Sequence, residues 1–338
     1  MQIEQFDPKT NAERLRACFE LTSAGWPTDH PNVPPWPLAS FAGKWSDGFD
    51  ACPQQSWLAT DDAGEPVGCY LLRLPDKENT DRATCVLVVA PARRRAGFGA
   101  AMLAHCAERA RQAGRSRLAS DVRDGSPGAA LAAAAGARGG ITDVVRVLDI
   151  GPGLPARLDS LRAEAEPHAV GYTLLSWVGL TPEEHIDQIV RVHNAMADAP
   201  RDAGVEATEW DAERLRKAER SAMEHQLLNR AVVARHDASG DLAALTELAT
   251  EADSPDWGFQ MSTVVVPAHR GHRLGLLVKI AMLELLAVQA PDVRRIFTGN
   301  AGVNERMIAI NTRLGFEVKD EYRTWELDLT ANRTAAQS

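Results

Sequence analysis

Val86-Leu87-Val88-Val89-Ala90-Pro91-Ala92-Arg93-Arg94-Arg95-Ala96-Gly97-Phe98-Gly99-Ala100-Ala101-Met102-Leu103 joins three kinds of sequence: a β-branched apolar run, a proline with three arginines and Gly-x-Gly, and the start of an Ala/Leu-rich helix. A strand thus feeds a basic loop at the head of a helix. The first amides of a helix lack partners within it and carry the positive end of its dipole, so they form a ready anion site. Glycines let an anion approach the backbone with no Cβ in the way, and arginines add charge and forked donors. The Walker pattern is absent, because no Gly-Lys-Ser/Thr follows. A dinucleotide fingerprint wants an acidic residue about 20 positions on, and Asp121 stands near that distance, so that reading is disfavoured but open.

The same plan recurs as Val264-Val265-Val266-Pro267-Ala268-His269-Arg270-Gly271-His272-Arg273-Leu274-Gly275-Leu276-Leu277-Val278-Lys279. Pro91 and Pro267, Arg94 and Arg270, and Gly99 and Gly275 share one offset of 176 residues. A common offset across three landmarks points to a duplicated domain.

The run Arg94-x-x-Gly97-x-Gly99 after an apolar strand resembles motif A of the GCN5-related N-acetyltransferases (GNAT family). Asn304 to Phe316, with its terminal Leu-Gly-Phe, resembles the family's motif B. The resemblance implies two GNAT (acyl-CoA N-acyltransferase) domains in tandem, each an α/β fold on a mixed sheet. It also implies acetyl-CoA or another acyl-CoA as cofactor. The residues holding it would be Val88, Val89, Arg94, Arg95, Ala96, Gly97, Phe98, Gly99 and Ala100 in the first copy. In the second they would be Val264, Val265, Val266, Arg270, Gly271, His272, Arg273, Leu274, Gly275, Leu276 and Asn304. The architecture is similar to that of tandem members such as the mycothiol synthases, in which the C-terminal half works and the N-terminal half supports it.

A chain of 338 residues is ample for two cores. Its 45% hydrophobic and 25% charged content is ordinary for a soluble globular protein. A net charge of −9 argues against nucleic acid as a partner. The five cysteines, at 18, 52, 69, 85 and 106, form no Cys-x-x-Cys pair, so neither a metal site nor a disulfide framework is expected. No secretion signal and no membrane span is visible, which points to the cytoplasm, as a monomer or homodimer.

In chain order, a short strand precedes a helix from Ala12 to Leu21, and residues 26–45 read as a Trp/Pro-rich loop that helices do not cross. The expected domains are residues 1–150, a Gly/Pro-led linker over 151–167, a second domain over 168–330 and a tail over 331–338.

Acyl transfer to an amine needs a base for the ammonium proton, donors for the oxyanion and an acid for the leaving thiolate. The first copy's last helix, Ala129 to Ala135 and leading to Gly136-Ala137, is almost all alanine and offers neither a proton donor nor an amide. In the second copy Arg273 replaces a glycine, and Asn311 stands where the family carries an acidic tyrosine. Tyr322 is an acid by type. Glu247 and Glu251 are candidate bases, with Asp256 behind them, while His269 and His272 suit cofactor binding better than proton abstraction. The expectation is an N-acyltransferase acting on a small-molecule amine, as in secondary-metabolite or antibiotic biosynthesis. Chemistry would lie in the C-terminal domain, with a supporting acetyl-CoA in the N-terminal one. The alternatives are a non-catalytic acyl-CoA sensor and catalysis in the first half.

Overall fold

The computed structural model describes residues 1–48 and 52–330, which form two compact units. The expected tail at 331–338 lies outside the described residues. Unit 1 comprises Met1–Asp143, Asp202–Glu206 and the chain from Asp320 onward; unit 2 comprises Val144–Arg201 and Ala207–Lys319.

Unit 1 begins with β1 (Gln2–Phe6), α1 (Ala12–Asp29), α2 (Leu38–Ser46), β2 (Gln54–Thr60), β3 (Pro66–Arg73) and β4 (Arg82–Val89). It continues with α3 (Phe98–Gln112), β5 (Arg117–Arg123) and α4 (Pro127–Ala134). β6 (Arg138–Asp149) enters unit 2, which holds α5 (Leu154–Ala165), β7 (Tyr172–Val178), α6 (Ile186–Asn194), α7 (Ala212–Glu224), β8 (Leu227–His236) and β9 (Leu242–Glu251). β10 (Ser254–Val265), α8 (Leu274–Gln289), β11 (Arg295–Ala301) and α9 (Glu305–Leu314) follow, and β12 (Glu317–Asp328) returns the chain to unit 1.

Each unit is a sheet between two helical layers. In unit 1, α3 packs Met102, Cys106 and Ala110 against Tyr70, Leu72 and Leu118 on one face. On the other, Leu15 and Cys18 of α1 and Phe41 and Trp45 of α2 cover Leu58, Cys69 and Leu71. In unit 2, α5 and α8 cover Ala244 and Leu248, while α6 and α7 cover Leu245 and Val264.

Two expectations are corrected. Helix α1 does not stop at Leu21 but runs to Asp29 with Pro27 inside it, and α2 lies within the supposed loop. A proline forfeits one helical hydrogen bond, and here burial of Gly25 and Trp26 in the last turns outweighs that loss. The segment read as a linker at 151–167 is largely α5, whose Leu158, Leu161 and Ala165 are buried in the unit 2 core.

The units also divide the chain differently from the halves expected at residues 150 and 168. β12 pairs antiparallel with β5, from Tyr322 opposite Arg123 to Asp328 opposite Arg117. Unit 1 is therefore closed by the end of the chain. In unit 2, Val144–Leu148 form a buried run beside β11, and the Ile150 amide donates to the Arg294 carbonyl at 2.7 Å. A fragment of residues 1–150 leaves the β5 edge open, so it should show no cooperative thermal transition by circular dichroism. The full chain should show one.

Candidate functional site: two strand-loop-helix cradles

β4 and β5 run parallel but pair only over Arg82–Thr84 and Arg117–Ala119. β10 and β11 likewise pair only over Trp257–Phe259 and Arg295–Phe297. Beyond these points the strands part, so Cys85–Val89 and Gln260–Val265 each turn a backbone edge toward an opening rather than toward a parallel neighbour. Backbone N–H and C=O groups require partners, and such an edge can pair with an extended, amide-bearing ligand.

The loops at the ends of these strands repeat bond for bond. The Ala90 amide donates to Val67 O and the Val266 amide to Ala243 O, both at 2.9 Å. Pro91 and Pro267 each open a single 3₁₀ turn. Arg94 Nε donates to Val89 O at 3.1 Å, and Arg270 Nε to Val265 O at 3.3 Å. Each guanidinium also grips a carboxylate at the end of a helical segment: Arg94 holds Asp29, the last residue of α1, at 2.9 and 2.6 Å, and Arg270 holds Asp198, at the end of the 3₁₀ turn that follows α6, at 2.6 Å. These two arginines thus fasten the end of the strand to a helical segment.

Each loop contains two left-handed residues. In the first they are Arg95 (φ 64°) and Gly97 (φ 87°); in the second, Gly271 (φ 91°) and Arg273 (φ 53°). Glycine and arginine have exchanged places, and each loop carries one non-glycine strain of about 1–2 kcal/mol. The third landmark glycine serves packing. A Cβ on Gly99 would meet Leu131 at 3.3 Å, and one on Gly275 would meet Ile310 at 3.3 Å.

Residues 15–134 match the family model described as Acetyltransferase (GNAT) family. A tandem GNAT protein from the clavulanic acid biosynthesis pathway, solved without acetyl-CoA, superposes with a TM-score of 0.80 at 27% identity, over 97% of this chain and 98% of that one. Residues 15–134 thus match a GNAT acetyltransferase domain, and the chain as a whole has the fold of a tandem GNAT protein. A GCN5-related N-acetyltransferase from Sphaerobacter thermophilus shares the fold at 17% identity and a TM-score of 0.65, over 97% of this chain and 95% of that one. No curated protein matches the sequence. No helix among the described residues is long and apolar enough to cross a membrane.

The two GNAT loops differ in what their basic groups do. In the first, Arg95, Ala96, Gly97 and Ala100 are exposed, and Arg95 makes no ion pair among the described residues. Phe98 lies beneath Arg93, whose guanidinium is 5.7 Å from the ring. In the second, Arg273 is ion-paired to Glu164, which also binds Arg313. The His272 ring lies 3.0 Å from His168 O, and His269 Nδ1 lies 2.9 Å from the Tyr172 hydroxyl. Burial, with the neighbouring His236, lowers the His269 pKa. Leu274 and Leu276 are buried in the core, leaving their backbone as the part that can face a ligand. Asn304 caps α9, accepting from the Met307 amide at 3.2 Å.

The candidate catalytic residues separate. Glu247 lies on β9 opposite Met261 and Ser262, where a bulge between Gln260 and Thr263 breaks the register with β10. Its Oε1 is 3.4 Å from Nε2 of His193, a buried residue of α6. Burial opposes charge on His193, but Glu247, aided by Glu219, raises its pKa. No local pattern in the sequence links His193 on α6 to Glu247 on β9. In unit 1 the offset places Leu71 where unit 2 has Glu247, and Leu71 is buried beside Cys18 and Phe41.

Glu251 is buried at the end of β9, roughly 13 Å along the strand from Glu247 at normal strand rise. Asp256 is engaged by Arg295 at 2.9 Å. Tyr322, considered as an acid for the second copy, belongs to unit 1, where its hydroxyl lies 2.7 Å from His30 Nδ1. Burial raises its pKa and lowers that of His30.

Asn311 is buried and accepts from Lys279 Nζ at 2.8 Å. Burial lowers the Lys279 pKa to about 7 from 10.5. Between those values the unfolded chain holds a proton that the folded chain lacks, so stability rises with pH across the window. Lys279→Met should therefore raise the melting temperature most at and below pH 7, with the gain shrinking toward pH 10. Thermal melts across that range check this.

Proposed function

We propose that this GNAT protein transfers an acetyl or other acyl group from coenzyme A to the amine of a small metabolite in unit 2, while unit 1 holds a supporting acetyl-CoA. The observation that carries the assignment is the Glu247–His193 pair beside the β10 bulge, at a position where unit 1 has buried Leu71. The surroundings agree. β10 contributes Gln260, Ser262 and Thr263, and Gln260 Nε2 donates to Glu247 O at 2.6 Å. The corresponding stretch of β4 is Thr84, Cys85, Val86 and Leu87.

In this reading the acyl-CoA lies along the parted edge of β10, with its diphosphate at the head of α8. Glu247 takes the proton from the acceptor ammonium as the nitrogen attacks the thioester carbonyl. His193 stands behind the carboxylate and fixes its direction. The acceptor is placed among small amines because the tandem relative comes from the clavulanic acid pathway. Unit 1 fits a retained acetyl-CoA: its loop is exposed, Gly97 has no neighbour that a Cβ would meet, and Arg95 makes no ion pair among the described residues.

Glu247→Gln should lower kcat for thiol release from acetyl-CoA, with a panel of primary amines, by about 100-fold or more. Native mass spectrometry should still count the same number of bound acetyl-CoA molecules. Gly97→Val, which strains a left-handed position, should remove one acetyl-CoA from that count. Undiminished turnover in Glu247→Gln would place the chemistry elsewhere.

A further inference from the structure

Lys279 lies on α8 with 2% of its surface exposed, on a helix otherwise buried through apolar side chains. No carboxylate meets it among the described residues. Its Nζ donates to Asn311 Oδ1 at 2.8 Å, and the Phe316 ring centre is 5.0 Å away. Asn311, itself fully buried, donates from Nδ2 to Asn300 Oδ1 at 2.6 Å. Asn300 is half-buried and sits on β11 beyond Phe297, in the part of the strand that has left β10. The chain of contacts therefore leads from the core of unit 2 to the parted strands.

Its direction is set chemically. Lys279 Nζ donates to Asn311 Oδ1, which leaves the Asn311 nitrogen turned outward to Asn300. Asn300 then receives that nitrogen on its own oxygen, and its two N–H groups are left at the outer end of the chain. Two amides alone could both flip; the hydrogen bond from Lys279 at one end ties them to this arrangement. Unit 1 has no counterpart. The offset places Leu103 opposite Lys279, and α4 is almost entirely alanine.

We propose that Lys279, acting through Asn311, holds Asn300 as a hydrogen-bond donor to the sulfur that leaves acyl-CoA in unit 2. Lys279 is the positioning residue, and Asn300 is the group that touches the thiolate. This rests on the assignment of acyl transfer to unit 2. The acceptor nitrogen bonds to the thioester carbon and gives its proton to Glu247. The C–S bond breaks with its electron pair going to sulfur. The thiolate is held by Asn300 Nδ2–H until it takes a proton from solvent. Donors already oriented toward developing charge need no reorganisation when it appears.

The test reads the thiol of bound coenzyme A without any acceptor. Thiolate ultraviolet absorbance is followed as pH is raised in the full-length chain saturated with coenzyme A, as a difference from the desulfo-coenzyme A complex. Native mass spectrometry supplies the number bound. The reference is the thiol of free coenzyme A titrated in the same way. The expected result is two molecules bound, one thiol ionising at least about tenfold more readily than the other, roughly one pH unit lower. Lys279→Met, which keeps an apolar core, and Asn300→Ser, which keeps the lysine, should each abolish that difference with both molecules still bound. If two molecules bind and their thiols titrate alike in the unaltered chain, or Lys279→Met leaves the shifted thiol in place, this inference fails and the assignment of transfer to unit 2 stands. If unit 2 binds no coenzyme A, both fail.

Discussion

The early parting of two parallel strands is the constraint on which the rest depends. β4 and β5, and again β10 and β11, share only three residue pairs before they diverge. Backbone groups left without a neighbour are costly unless something pairs with them. The fold keeps each opening by bracing its rim. Arg94 and Arg270 tie the carbonyl at the end of the parted strand to a carboxylate on a helical segment across from it. A guanidinium bonded on both sides in this way is held as a brace.

The two cradles share this skeleton and differ in where polar chemistry has been placed. Unit 1 has a loop with Arg95 exposed, over an apolar strand, and the position equivalent to Glu247 holds buried Leu71. Unit 2 has a loop whose arginines are engaged by Asp198 and Glu164, together with a carboxylate, an imidazole, hydroxyls and a buried amine around its strand. Burying Lys279 without a carboxylate partner costs stability, as its lowered pKa records. A cost of that kind in one copy, against Leu103 in the other, marks the second copy as the more specialised.

Closing each sheet places a separate demand on the chain. β5 needs a partner on the side away from β4, and the last strand of the polypeptide supplies it. The run Val144–Leu148 is buried throughout, so its residues suit a strand covered on both faces whichever sheet receives it. Pairing partners are chosen by three-dimensional proximity, and no residue type in the run encodes them.

From the sequence alone came the duplicated strand-loop-helix plan, the family and the strained position of Arg273, because all three rest on local spacing: a proline, an arginine and a glycine at one offset, and a side chain where φ must be positive. The extent of α1 through Pro27 was not legible there, since burial of Trp26 overrode a local penalty. Tertiary structure alone brought His193 to Glu247, took Tyr322 away from unit 2, and joined Lys279, Asn311 and Asn300. Each of these contacts links elements far apart in the chain, where packing sets the distance and no periodicity records it.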